Sequence, residues 1–130
     1  MGEAGVADEA DETGLTDEVE ACRQAVVAGA TQEIAQLERL IQACRRMQDE
    51  LQESLDLMEQ SYTMTTILSR GGTSDVIPGF TEELERTNAS RRVGRGAMIR
   101  LALAEGMTTT QLGDRLGISR QLVARYRDET

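Results

Sequence analysis

From Val19 onward, apolar residues recur at spacings of three and four: Val19, Cys22, Val26, Ala30, Ile34, Leu37, Ile41 and Cys44, then Leu51, Leu55, Met58 and Tyr62 beyond the polar Gln48. That period gathers them on one stripe of an α-helix. With Ile34 at a heptad a position, Ile41, Gln48, Leu55 and Tyr62 fall on later a positions, and Leu37, Cys44, Leu51, Met58 and Thr65 on d positions. The pattern predicts a coiled-coil-like helix over residues 17–68, as one rod or as a helical hairpin. Thr16 is its expected N-cap, with Asp17 and Glu18 suited to the positive end of the helix dipole. The spacings of four between Cys22 and Ile34 resemble a stutter, and Gly29 marks a candidate break. Few other apolar residues are free to cover the stripe, so self-association is the expectation, with packing against the chain's own helices as the competing one. Leu40 and Met47 at g positions widen the stripe toward a bundle, and Gln48 would fix its register.

The flanks read differently. Residues 1–16 are Glu, Asp, Gly and Ala with little to bury, which predicts a disordered acidic tail. Residues 69–90 hold Gly71-Gly72, Ser74, Asp75 and Pro78-Gly79, which predicts a linker, with a short helix capped by Thr81 and another beginning near Ser90.

Residues 91–130 carry a denser pattern. Met98, Ile99, Leu101, Ala102 and Leu103 predict a helix that stops at Gly106. Thr108 with Gln111 three residues later is a capping box for a second helix through Leu112, Gly113 and Leu116. Gly117 sits where the chain must bend, Ile118 plugs the turn, and Ser119 caps a third helix that turns Val123 and Tyr126 inward. Two crossed helices joined by a tight turn need a small residue at their contact, one tolerant of positive φ at the bend, and apolar residues at fixed offsets. Gly113, Gly117 and the Leu112, Leu116, Ile118, Val123, Tyr126 set meet those needs. The class expected is therefore all-α, with a long N-terminal helix and a C-terminal three-helix module.

Charge sharpens this division. The chain of 130 residues has a net charge of −9. Residues 1–68 contain fifteen acidic side chains and four Arg, whereas residues 69–130 contain eight acidic side chains and ten Arg. Between Arg91 and Arg127 eight Arg face only Glu105 and Asp114. One end is thus suited to phosphate and the other is not. All fourteen basic residues are Arg, a compositional hint of a GC-rich bacterial or phage genome. With no His, two distant cysteines and no glycine-rich phosphate loop, the sequence offers no metal site, cofactor site or catalytic constellation, so an enzyme is not expected. Cys22 and Cys44 fall on the apolar stripe and read as buried thiols, with interchain crosslinking or redox sensing as the alternative. No apolar run is long enough to span a membrane and the acidic start is unlike a signal peptide, so a cytoplasmic protein is expected.

The run from Glu105 through Thr108, Gln111, Gly113, Gly117 and Ser119 to Arg120 resembles the helix-turn-helix of small bacterial and phage regulators, including the C-terminal DNA-binding domain of resolvases and DNA invertases. The resemblance covers only the last thirty-odd residues, and Gly113 stands where that family more often has Ala. Nothing resembles the recombinases' catalytic domain. The resemblance implies that the third helix enters the major groove, with Ser119, Arg120, Gln121 and Arg125 toward the bases. Thr109, Thr110, Gln111 and Arg127 would then touch the DNA backbone, and Arg91, Arg92 and Arg95 would form a minor-groove arm. The expectation is sequence-specific binding of double-stranded DNA by a nucleoid-associated homodimer, or a higher oligomer, joined through residues 17–68 and acting in transcription regulation. The alternatives are a coiled-coil adaptor whose module docks another protein, or a plasmid or phage maintenance protein acting in partition, excision or packaging.

Overall fold

In a computed structural model, residues 2–129 are described, with side chains described from Thr16 onward. Five helices make up the order: α1 (Gly2–Glu59), α2 (Met64–Ser69), α3 (Thr73–Ala104), α4 (Thr109–Leu116) and α5 (Arg120–Asp128). Among the described residues there is no strand, so the fold is all-α with a long N-terminal helix, as the heptad pattern predicts. The chain divides into two compact units, residues 32–90 and residues 1–31 with 91–130. Residues 2–15 of the acidic tail expected to be disordered lie within α1 as bounded, with their side chains outside the described ones, and Thr16 lies inside that helix rather than at its cap.

In the unit of residues 32–90, α1 and α3 run antiparallel. Gln36 meets Glu83 and Thr87, while Glu50 and Ser54 meet Thr73. Its fully buried positions are small and polar side chains, with Leu40, Met47 and Leu57 of α1 half-buried beside them. Gln36, only 4% exposed, donates from Nε2 to Glu83 Oε2 at 2.6 Å and to Thr87 Oγ1 at 3.3 Å. Ser54 Oγ and Thr73 Oγ1 are 2.7 Å apart, and Thr73 Oγ1 also reaches the Glu50 carbonyl at 3.3 Å. Ala43 completes the buried line. Small side chains let two helix axes approach closely, and each buried polar atom among the described residues finds a partner, which removes the desolvation penalty of burying it.

This seam corrects the expected one. Within this unit positions 33, 36, 40, 43, 47, 50, 54 and 57 of α1 are the shielded ones, so here the period is the heptad's but the phase is one residue earlier, whereas Val19, Cys22 and Val26 of the other unit are half-buried on the expected stripe. The a and d stripe lies outside: Ile34 is 69% and Leu55 55% exposed, with Leu37, Ile41, Leu51 and Met58 also exposed. Cys44, expected as a buried thiol, is exposed as well, and Cys22 is half-buried.

The helix expected to reach residue 68 ends at Glu59. Ser61 adopts φ +71°, and Thr63 caps α2 by accepting from the Thr66 amide at 3.1 Å. Ile67 plugs this end at 3% exposure, and the Arg70 guanidinium lies 5.8 Å from the Tyr62 ring centroid, within cation–π range. Gly71 and Gly72, at φ +90° and +59°, then turn the chain directly into α3.

The linker expected over residues 69–90 is therefore helix from Thr73 on. Pro78 lies inside it near the first turns and forgoes the amide bond to the Ser74 carbonyl, while Thr73 in the turn before it is anchored on Ser54 and Glu50 of α1. Thr81 and Ser90, expected as caps, are interior. Thr81 Oγ1 bonds back to the Ile77 carbonyl at 3.1 Å.

In the other unit, Gly29 faces Gly94: a Cβ on Gly29 would lie 3.4 Å from the Gly94 Cα. Gly29 is thus a site of close backbone approach in an unbroken helix rather than a break. The end of α3 joins α4 and α5 around Ile99, Leu112 and Val123, with Leu103, Leu116, Ile118 and Tyr126 packed at the edge. Ile99 and Val123 are fully buried.

Candidate nucleic-acid interface

Local chemistry builds α4 and α5. The Thr108 amide donates to Gln111 Oε1 at 2.9 Å, and the Gln111 amide returns to Thr108 Oγ1 at 3.1 Å, the reciprocal capping box that the spacing predicts. Gly117 closes α4 at φ +68°, a left-handed conformation that costs a side-chain-bearing residue about 1–2 kcal/mol. Ile118 then donates its amide to the Gly113 carbonyl at 3.0 Å. A Cβ on Gly113 would stand 2.8 Å from the Ile118 carbonyl oxygen, so glycine is what lets the turn fold back onto α4. Ser119 caps α5, accepting from the Leu122 amide at 3.1 Å.

The outer surface of this arrangement carries most of the candidate residues. Arg120, Gln121 and Arg125 are exposed on α5, while Val123 faces inward and Leu122, Ala124 and Tyr126 are half-buried. Neither Arg120 nor Arg125 takes part in an ion pair among the described residues. Ser119 is exposed, and its oxygen accepts one bond in the cap, which leaves its hydroxyl proton and a second lone pair for a ligand. At the start of α4, Thr110 and Gln111 are exposed and Thr109 is half-buried. The Gln111 carbonyl oxygen accepts one bond in the capping box, and the two amide protons of its side chain remain as free donors.

Arg127 is less available. Its Nε lies 2.9 Å from Asp128 Oδ1, and this hydrogen bond raises the guanidinium's pKa and lowers that of the Asp128 carboxyl. The expected arm is corrected outright. Arg91, Arg92 and Arg95 lie within α3, where backbone bonds hold them in helix, so no extended strand is there to enter a minor groove. Arg92 lies 3.6 Å from Glu129.

Arg100 is a residue that the sequence analysis does not single out. Its Nη1 donates to the Tyr126 carbonyl at 3.0 Å and to the Glu129 carbonyl at 2.9 Å, fastening the last turn of α5 to α3. The only signal in the sequence is a lone charge within the apolar run from Ala97 to Leu103. Arg115, exposed in the last turn of α4, adds a further cation to this unit.

Among the described residues no group of three or more His, Cys, Asp or Glu could hold a metal ion, and no helix is long and apolar enough to cross a membrane. No family model matches the chain, and no curated protein or solved structure is significantly similar to it.

Proposed function

We propose that α4, the turn at Gly117 and α5 form a helix-turn-helix that binds double-stranded DNA in a sequence-specific manner. The observation that carries this reading is the α5 surface: two unpaired Arg and a Gln lie exposed on a helix whose apolar face is consumed by the core. Arg120 and Arg125 suit bidentate pairing with guanine O6 and N7, and Gln121 with adenine N6 and N7. The Thr109 and Thr110 amides at the N-terminus of α4, with the Thr110 hydroxyl and the Gln111 side-chain amide, suit phosphate oxygens. The protein then acts as a nucleoid-associated transcription regulator, in which a dimer presents two modules to an inverted repeat. The reading requires no cofactor and assigns no catalytic step.

The test is selection of bound duplexes from a random DNA pool at fixed salt, with an Arg120→Ala, Arg125→Ala variant beside the parent. Enrichment of a motif by the parent alone supports the reading. At about 1–3 kcal/mol for each bidentate contact, the variant loses at least roughly 30-fold in affinity for that motif. Enrichment of nothing by either protein refutes DNA reading and favours an adaptor, for which the exposed apolar stripe of α1 would be the working surface.

A further inference from the structure

The unit of residues 32–90 has two unlike faces. A right-handed helix running away from the viewer turns clockwise, and one running toward the viewer turns counter-clockwise. In an antiparallel pair, therefore, the residues one step after each contact position lie on the same side of the hairpin. On α1 those residues include Ile34, Leu37, Ile41, Leu51, Leu55 and Met58, all exposed. On α3 they include Ile77 and Leu84, also exposed. The remaining positions of this side within the unit, Cys44, Gln48, Ser74, Thr81 and Asn88, are uncharged, so the whole face carries no charge. The opposite side, one step before each contact position, is charged at Arg39, Arg46, Asp49, Glu53, Asp75 and Glu82 among others. A hairpin so divided, with its apolar side uncovered, is half of a bundle.

We propose that the apolar face is covered by the same face of a second copy of this chain, forming an antiparallel four-helix bundle in which α1 packs on the partner's α1. The stripe is self-complementary about residue 46. A two-fold axis there sets Ile34 against the partner's Met58, Leu37 against the partner's Leu55, and Ile41 against the partner's Leu51. The polar centre then meets itself, Cys44 beside the partner's Gln48. The contacts between Gln36 and Thr87 and between Glu50 and Thr73 fix a register that sets Ile77 level with residue 46, so Ile77 meets the partner's Ile77 on the same axis. Such a contact is isologous, as a closed dimer requires. The eight exposed side chains offer on the order of 700 Å² per chain, close to the roughly 800 Å² per partner of a standard stable interface.

This surface gives the proposed regulator its dimer, yet it is tested without DNA and so stands or falls apart from that reading. Sedimentation of the full chain at tens of micromolar is expected to give a dimer, and an Ile41→Glu, Leu55→Glu variant a monomer of unchanged helicity. Because both positions are exposed within one chain, the variant keeps its own fold. In a Cys22→Ser, Cys44→Ser background, Leu37→Cys with Leu55→Cys is expected to oxidise to a crosslinked dimer, and either cysteine alone is not. Positions 37 and 55 are roughly 27 Å apart along one helix, beyond the reach of a disulfide within a chain. A monomeric parent, a dimeric Glu variant, or crosslinking through a single cysteine overturns the proposal.

Discussion

Gly113 places two opposed effects on one atom. Helix propensity alone favours alanine over glycine there by about 1 kcal/mol. The Cβ, however, would stand 2.8 Å from a backbone carbonyl in the turn, an atom that cannot step aside as a flexible side chain can. The steric term is expected to win: Gly113→Val lowers stability by about 1–3 kcal/mol, the range for forcing atoms into a packed site, and Gly113→Ala fails to stabilise. Thermal unfolding monitored by circular dichroism reads both, and an Ala variant that melts higher than the parent would show that the turn yields. Thr108→Ala removes half of the capping box and is expected to cost about 1 kcal/mol by the same measurement. For DNA binding the informative residue is Asp128. Its carboxyl, lowered by the hydrogen bond from Arg127, stays charged above its depressed pKa and holds that guanidinium. The hold is lost as pH falls through that value. Asp128→Asn should therefore raise duplex affinity at neutral pH by about two- to fivefold by releasing a cation to phosphate, as fluorescence anisotropy would report.

At the scale of elements, legibility followed locality. The caps at Thr108 and Ser119, the bend at Gly117 and the inward Val123 are set within four or five residues, and the sequence states each one. The phase of the α1–α3 seam is set by residues about fifty positions apart. Nothing within α1 alone says that Gln36 will find Glu83 and Thr87, so by local pattern the apolar stripe is the stronger signal. Helix likewise runs through Pro78 and through the expected basic arm, where the local signals of residues 69–95 point to a linker. Arg100 was illegible for the complementary reason, since its partners are carbonyl groups, which every residue possesses. Two hydrogen bonds from a charged donor are worth about 1.5–3 kcal/mol each at most. Arg100→Met should leave the α4 amides protected while those at the end of α5 exchange faster with solvent deuterium. Equal protection at both helices would mean that Arg100 does not hold α5.

For the whole molecule the governing fact is a net charge of −9 on a chain proposed to bind a polyanion. Binding requires that the Arg-rich residues 91–127 meet the duplex while the acidic majority stays electrostatically remote. Salt controls how remote that is: the screening length is about 10 Å at 0.1 M ionic strength and about 30 Å at 0.01 M. At the higher salt the carboxylates beyond the contact are largely screened, and at the lower they repel the phosphates. Residues 1–16 hold five of those carboxylates and no Arg. A chain lacking them is expected to bind a non-cognate duplex more tightly than the parent, with a larger gain at low salt than at high salt. Its affinity for a cognate site should rise by the same factor, because the repulsion is blind to sequence. Anisotropy titrations of one cognate and one scrambled duplex at two salt concentrations separate the causes. A gain confined to low salt identifies electrostatic repulsion, whereas an equal gain at both salts identifies steric hindrance. No gain at either means that the charge on this segment lies too far from the bound duplex to matter, and the asymmetry between the chain's halves then concerns solubility rather than recognition.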